Sequence, residues 1–373
     1  MTPLIFILAG EQSGDLIGGR LMAALKDLTQ GNVKFVGVGG VDMAAQGLRS
    51  LFPMSDLSLM GYFEIIKHLP LLLKRLRQAK TAISQFKPDV IVTIDSPEFS
   101  LRLGKHGIPH IHYIAPTVWA WRAGRAATLA KEIDHLLAVY PFEPPYFEKH
   151  GLLCTFVGHM LTEIGIADIP HQLHSSKTIC WLPGSRLSEV KALLPIHKQA
   201  LIELHKKYPN MAVTLPVAPG VAEYVKSQVQ DLPFKLTITT DRYTAMRSAD
   251  VALAASGTVN LELALAQTPF VITYKLNPLT AWLAKRLLKV KYVTMVNILC
   301  DALVVPELLQ ENCTAEKVCE QVDKLLTDAR AVEQQLLGLR KAAAMLQNSA
   351  DKSSYAAAKV VLGYCKTGNK HRI

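Results

Sequence analysis

Short runs of β-branched and aliphatic residues alternate with helical patterns along this chain, and the alternation occurs twice. The first series is PLIFILA (3–9), VKFVGVG (33–39), PDVIVTID (88–95), IPHIHYIAP (108–116) and DHLLAVYPF (134–142). After a polar break, ADIPHQLHSSK (167–177), a second series follows: TICWLPGSR (178–186), NMAVTLPVAP (210–219), PFKLTITT (233–240), ADVALAASGT (249–258) and TPFVITY (268–274). Apolar strands separated by helices predict parallel sheets covered on both faces. At 373 residues the chain is too long for one ordinary core. Two Rossmann-like domains are therefore predicted, 1–168 and 169–340, followed by a helical segment, 341–373, that returns to the first domain. From 313 to 365 the pattern is helical without a strand signal.

In open α/β sheets, ligands bind beyond the carboxyl ends of the strands. The first such loop, in FILAGEQSGDLIGGRLMAALK (6–26), has the glycines of a phosphate loop but carries acid. Phosphate loops rely on backbone N–H groups and the positive end of a helix. Glu11 and Asp15 would repel that ligand, and the glycine spacing fits neither phosphate motif. The expected role of this loop is binding hydroxyl groups, through Glu11, Ser13 and Asp15, with Ser13 and Asp15 also suited to a helix N-terminus. Asp95 ends a β-run in TIDSPEFS and is a candidate general base, or alternatively a loop-capping aspartate.

The second series carries the anion-binding chemistry. WLPGSRLSEV places Gly184, Ser185 and Arg186 between a strand and a helix, and LAASGTVNLELA repeats the arrangement with Ser256, Gly257 and Thr258. Free N–H groups, hydroxyls and a guanidinium suit a diphosphate. Glu262, one turn further on, can accept hydrogen bonds from ribose hydroxyls.

Charge and apolar patterning suggest a surface partner. The net charge of +10 is matched by two segments, 65–80 and 275–291, each with five Lys/Arg and no acid. Their leucines and a tryptophan suit an anionic membrane surface better than nucleic acid. The membrane-facing candidates are Ile66, Leu69, Leu72, Lys74, Arg75, Leu76, Arg77, Trp282, Lys285 and Arg286; ordinary amphipathic helices are the alternative. No run of 18 apolar residues and no secretory signal occurs, so a cytoplasmic protein is expected. The six cysteines form no metal or C-x-x-C pattern, and reduced thiols are expected.

These pieces together resemble the lipid-A-disaccharide synthases, glycosyltransferases of the GT-B architecture. The resemblance runs through AGEQSGD (9–15), LMGYFEII (59–66), IDSPEFS (94–100), APTVWAWR (115–122), FVGHML (156–161), LPGSR (182–186), ASGTVNLE (255–262) and WLAKRLLK (282–289). It adds Trp119, Trp121, Arg122 and His159 as acceptor-side or cleft residues. It implies two Rossmann-like domains facing a central cleft and an inverting transfer from UDP-2,3-diacylglucosamine to 2,3-diacylglucosamine 1-phosphate, in lipid A biosynthesis. It further implies no bound metal or cofactor and a peripheral location on the inner face of the cytoplasmic membrane of a Gram-negative bacterium. A homodimer is compatible with the helical tail. Asp95 is then the expected base, with Glu11 competing. A UDP-sugar 2-epimerase with soluble substrates, or a nucleotide-regulated lipid-binding module, are the alternatives on the same pattern.

Overall fold

A computed structural model of the chain describes residues 2–57, 62–121, 124–170, 176–277, 280–282, 286 and 290–366, with the backbone alone described at 62–67. The chain divides into two compact units, 1–163 with 346–373, and 164–345.

The first unit is built on a parallel sheet of β1 (Leu4–Ala9), β2 (Lys34–Val38), β3 (Val90–Ile94), β4 (His110–Tyr113), β5 (His135–Ala138) and β6 (Leu153–Phe156). Their order is β2-β1-β3-β4-β5-β6. Ile5 to Ala9 are all fully buried, as parallel strands covered on both faces require. Its helices are α1 (Gln12–Leu28), α2 (Val41–Ala45), α3 (Tyr62–Phe86), α4 (Pro97–Ser100), α5 (Arg125–Glu132) and α6 (Pro144–Glu148).

The second unit has β7 (Thr178–Leu182), β8 (Ala212–Pro216), β9 (Lys235–Thr239), β10 (Val251–Ala255), β11 (Phe270–Tyr274) and β12 (Glu307–Leu309), in the order β12-β11-β10-β7-β8-β9. Its helices are α7 (Leu187–Lys207), α8 (Ala222–Gln228), α9 (Arg242–Arg247), α10 (Val259–Ala266), α11 (Met295–Cys300), α12 (Ala315–Thr327) and α13 (Ala329–Met345). The chain re-enters the first unit at Leu346 and ends its described course in α14 (Ser353–Lys366). Ala357, Ala358, Val361 and Leu362 of α14 join the core formed by β1, β3 and α1. Ser354 donates to Glu163 from both its backbone N–H (2.7 Å) and its hydroxyl (2.8 Å), which caps the first turn of α14.

Each sheet contains one edge strand that the sequence pattern does not announce. β6 and β12 are four and three residues long, and Leu153 of β6 is exposed. Strands this short at a sheet edge carry too few inward-facing residues to mark themselves.

The strand orders fix where ligands can bind. In the first unit the order reverses between β1 and β3, with Ala9 paired to Ile94. In the second it reverses between β7 and β10, with Leu182 paired to Ala254. At a reversal the connections leave to opposite faces and open a crevice at the carboxyl ends of the two strands.

Candidate functional site

Asp95 follows β3 at the first of these crevices. Asp95 and Ser96 both adopt left-handed backbone conformations, φ 55° and 46°, and Ile114 beyond β4 does so at 79°. This is sterically costly for non-glycine residues, and most of all for a β-branched one. The surroundings hold the turn in place. Asp95 N–H donates to Tyr113 O (3.0 Å), Ser100 Oγ donates to Asp95 O (2.9 Å), and Ser96 N–H donates to Asp95 Oδ1 (2.8 Å). Gly10, at the end of β1, permits the approach of this turn: a Cβ there would lie 2.3 Å from Ser96 Oγ. Asp95 and Ile114 line a cavity of about 260 Å³ with Pro116, Thr117, Val118, Trp121 and Arg125. Strain concentrated around one carboxylate in a cavity makes Asp95 a candidate functional group, although its Oδ1 also serves the turn by accepting from Ser96.

The acidic loop after β1 divides into two parts. Glu11, the N-cap residue of α1, and Ser13 are exposed at the same edge of the sheet as Asp95. Asp15 is only 2% exposed and is consumed inside the fold. Its carboxylate accepts from the N–H groups of Gly40 (2.7 Å), Asp42 (2.9 Å) and Met43 (3.1 Å), closing the N-terminus of α2. The expectation that Asp15 binds substrate hydroxyls is therefore corrected: its oxygens already have donors. The glycine richness of α1 also has a packing cause, since a Cβ on Gly18 would lie 2.5 Å from the Met43 sulfur.

Trp119 and His159 border an aromatic cluster beyond β5. Trp119 meets Phe142 edge to face at 5.3 Å, Phe142 stacks on Tyr140 at 5.7 Å, and Tyr140 lies 5.6 Å from the His159 ring. Burial lowers the His159 pKa to about 4. Trp121 is exposed and its indole N–H donates to Thr117 Oγ1 (3.1 Å). Arg122 lies outside the described residues. Beneath the cluster is a residue that sequence reasoning missed, Glu143. It is buried, accepts from Trp119 Nε1 (3.3 Å) and from the N–H groups of Val139 (3.2 Å) and Tyr140 (3.1 Å), and burial raises its pKa to about 7.

The second unit assembles the expected anion-binding loops on adjacent strands. Gly184, with φ 116°, and the exposed Ser185 and Arg186 lead from β7 into α7. Ser256, Gly257 and Thr258 lead from β10 into α10, and the last two are exposed. Two helix N-termini thus open beside one crevice, where free N–H groups and helix dipoles favour an anion. Arg186 pairs with Glu189 (3.1 Å) on the first turn of α7 and keeps most of its surface exposed. Glu262, by contrast, is largely buried. Arg242 pairs with its Oε1 at 2.8 Å, and the Tyr243 hydroxyl lies 3.4 Å from the same oxygen. Burial raises the Glu262 pKa, while Arg242 acts against that rise. Arg242 and Tyr243 gave no sequence signal, because only the packing of α9 on α10 brings them to Glu262.

Of the expected membrane residues, α3 separates two groups. Leu69 is 40% exposed, Leu72 is half-buried, and Lys74 and Arg77 are exposed. Arg75 and Leu76 instead turn toward the protein. Arg75 pairs with Asp56 at 2.6 Å and lies over the Phe52 ring, and Leu76 packs on the core around Phe6 and Ile83. Leu73, not singled out from sequence, is 42% exposed. Trp282 is 53% exposed with the Arg286 guanidinium 3.9 Å from its ring centroid. The Ile66 side chain and Lys285 lie outside the described residues. Among the described residues no helix is long and apolar enough to cross a membrane.

Comparison with known proteins identifies the family. The family model for lipid-A-disaccharide synthetase matches residues 5–361. The lipid-A-disaccharide synthase of Rhodospirillum centenum is 48% identical over 381 residues, covering 97% of this chain and 95% of that protein. That of Paramagnetospirillum magneticum is 43% identical, covering 99% of both. Among solved structures, MurG of Acinetobacter baumannii aligns with a TM-score of 0.61 at 15% identity, over 97% of this chain and 99% of its own. The S. aureus MnaA co-structure with UDP aligns with a TM-score of 0.64 at 14% identity, over 97% and 95%. At such identities these structures speak for the fold alone, the two-domain α/β GT-B fold. With the family model spanning both switch points and relatives matching from end to end, the chain belongs to the lipid-A-disaccharide synthase family.

Proposed function

We propose that this protein is an inverting, UDP-sugar-dependent glycosyltransferase that joins UDP-2,3-diacylglucosamine to 2,3-diacylglucosamine 1-phosphate. The products are the β-1,6-linked lipid A disaccharide 1-phosphate and UDP. The carrying observation, in a chain of this family, is the division of chemistry between the switch points. Asp95 occupies a strained cavity in the first unit, and exposed hydroxyl and guanidinium loops head helices in the second.

In this reading Asp95 removes the proton from the acceptor 6-hydroxyl as its oxygen attacks the anomeric carbon from the face opposite UDP. The bond from that carbon to the diphosphate oxygen breaks, and its electron pair leaves with UDP. Ser185, Arg186, Ser256, Thr258 and the N–H groups heading α7 and α10 stabilise the departing charge. Glu262, held by Arg242, accepts from the ribose hydroxyls. Glu11, Ser13, Trp119, Trp121 and His159 bind the acceptor. Because both substrates carry acyl chains, α3 and the Trp282 region rest on an anionic membrane surface, with Leu69, Leu73 and Trp282 entering its boundary and Lys74, Arg77 and Arg286 facing headgroups.

The test is to incubate the purified protein with both acylated substrates and identify the products by mass. A UDP-sugar 2-epimerase would convert the donor with no acceptor present, whereas the transferase releases UDP only when the acceptor is added. Asp95→Asn should lower turnover by roughly a hundred- to ten-thousandfold, the usual scale for a lost base. If Asp95→Asn retains more than half the parent rate while Glu11→Gln does not, Glu11 is the base.

A further inference from the structure

Glu143 has no part in the chemistry just described, yet it is the buried carboxylate that joins two loops of the first unit. Its Oε2 accepts from Val139 and Tyr140 in the turn after β5, and its Oε1 accepts from the indole of Trp119 in the loop after β4. That second loop is also a wall of the Asp95 cavity, which its residues Ile114, Pro116, Thr117, Val118 and Trp121 line. That loop packs Ala115 and Val118 into a core cluster with Leu129 and Phe147. It begins at the strained Ile114 and is bridged internally by short-range bonds, such as Val118 N–H to Pro116 O (2.7 Å) and Ala120 N–H to Thr117 O (3.1 Å). A charge-assisted bond to a fixed carboxylate is the kind of contact that pins such a loop.

We propose that Glu143 is a positioning residue, whose carboxylate ties the Trp119 loop to the turn after β5 and so sets the wall of the cavity around Asp95. The consequence for the acceptor sugar rests on the functional reading above; the tie itself does not.

The surroundings make the tie sensitive to pH near neutrality. The titratable groups facing Glu143 are Tyr140 on the same turn and Cys154 on β6. Burial first, then the charge of Glu143 and in part of Glu148 on α6, raises Cys154 to about 12. Burial and Glu143 raise Tyr140 above its ordinary value, and burial keeps His159 neutral across the Tyr140 ring. All three are therefore uncharged at pH 7, and among the described residues no basic side chain pairs with Glu143. Burial has then only the three N–H donors to oppose it, and the carboxyl group is driven to about 7. Above this value the carboxylate accepts from the indole; below it the charge that strengthens the bond is gone.

The experiment uses the full chain carrying Trp121→Phe and Trp282→Phe, which leaves Trp119 and the fully buried Trp181 as emitters. Emission is followed from pH 5.5 to 8.5 without substrate. A transition near pH 7 is expected, and it should vanish when Glu143→Gln, a neutral isostere, is added. With the acylated substrates, Glu143→Gln in the otherwise unaltered chain should raise the acceptor KM roughly tenfold, the scale of one lost charged hydrogen bond, with a smaller change in kcat. The parent's acceptor KM should rise below pH 7, and that of the Gln variant should not. Should Glu143→Gln fail to fold, Trp119→Phe removes the donor, and the rise of the acceptor KM below pH 7 should be lost in it. A transition that persists in Glu143→Gln, or emission at pH 8 identical in the parent reporter and its Glu143→Gln form, overturns the tie. If the emission behaves as expected but no sugar is transferred, the functional reading fails and the tie stands.

Discussion

Lowering the pH from 7.5 to 5 should cost this protein several kcal/mol of stability, through histidines that both units keep neutral. His110 and His112 lie on β4 with the Thr93 hydroxyl between them, 2.9 Å from His110 Nε2 and 2.8 Å from His112 Nδ1. Burial lowers their pKa values to about 4 and about 3, with Asp134 offsetting part of the fall at His110. In the second unit His197 accepts from Trp181 Nε1 (3.0 Å) and lies 2.8 Å from Thr273 Oγ1, and burial lowers it to about 3. The unfolded chain protonates each of them near 6.5. A folded pKa depressed below the unfolded one means that stability is intact above 6.5 and is lost as pH falls toward the folded values. At pH 5 each histidine then costs about 2 kcal/mol, about 6 kcal/mol for the three and about 8 kcal/mol with His159, which burial also lowers to about 4. Glu143 acts in the opposite sense. Its folded pKa of about 7 against 4.5 unfolded lets the native state take up a proton first, returning about 2 kcal/mol at pH 5. The net loss is about 5 to 6 kcal/mol. Urea unfolding followed by circular dichroism should therefore show a midpoint about 2 M lower at pH 5 than at pH 7.5, for a slope near 3 kcal/mol/M. His197→Gln should shrink that difference by about 2 kcal/mol, whatever it does to the stability at pH 7.5. A midpoint unchanged within about 0.2 M across this range would refute the argument that these histidines stay neutral in the native state.

Other residues give sharper local tests. Arg186→Ala removes an exposed guanidinium from the head of α7 and should weaken UDP binding by about 1.5 to 3 kcal/mol, measured calorimetrically; an unchanged affinity would place the diphosphate elsewhere. Asp15→Asn leaves three N–H groups of the α2 turn short of a carboxylate and should destabilise the fold by about 1.5 to 3 kcal/mol while UDP affinity stays put. An undiminished melting temperature would show that this cap is dispensable. Leu69→Ser with Leu73→Ser should reduce sedimentation with anionic vesicles at low and high salt alike, because apolar burial is not screened. Cosedimentation equal to the parent's would remove α3 from the membrane-docking surface.

The alternation of short apolar strands with helices was readable from one end of the sequence to the other, because it depends on contacts two to four residues apart. That sufficed for two α/β domains, for ten of the twelve strands, and for the loops around Asp95, Arg186 and Thr258. The motifs carried the family with them. What the sequence could not decide was the fate of each carboxylate, since burial and donors arrive from elsewhere in the chain. Asp15 and Glu11 share one loop, but Asp15 meets N–H groups 25 to 28 residues away and is sealed into the fold, while Glu11 stays exposed. Asp95 takes a left-handed turn that is held by Tyr113 and given room by Gly10. Glu143 looks like a surface glutamate before two prolines until the Trp119 loop closes over it. The face of α3 that meets the core, and so the separation of Leu69 from Leu76, follows from where the helix rests on the sheet. Glu163 caps a helix 191 residues further on, which only the returning chain can reveal. Local periodicity is a property of neighbours in sequence, whereas the charge state and accessibility of a side chain are properties of neighbours in space.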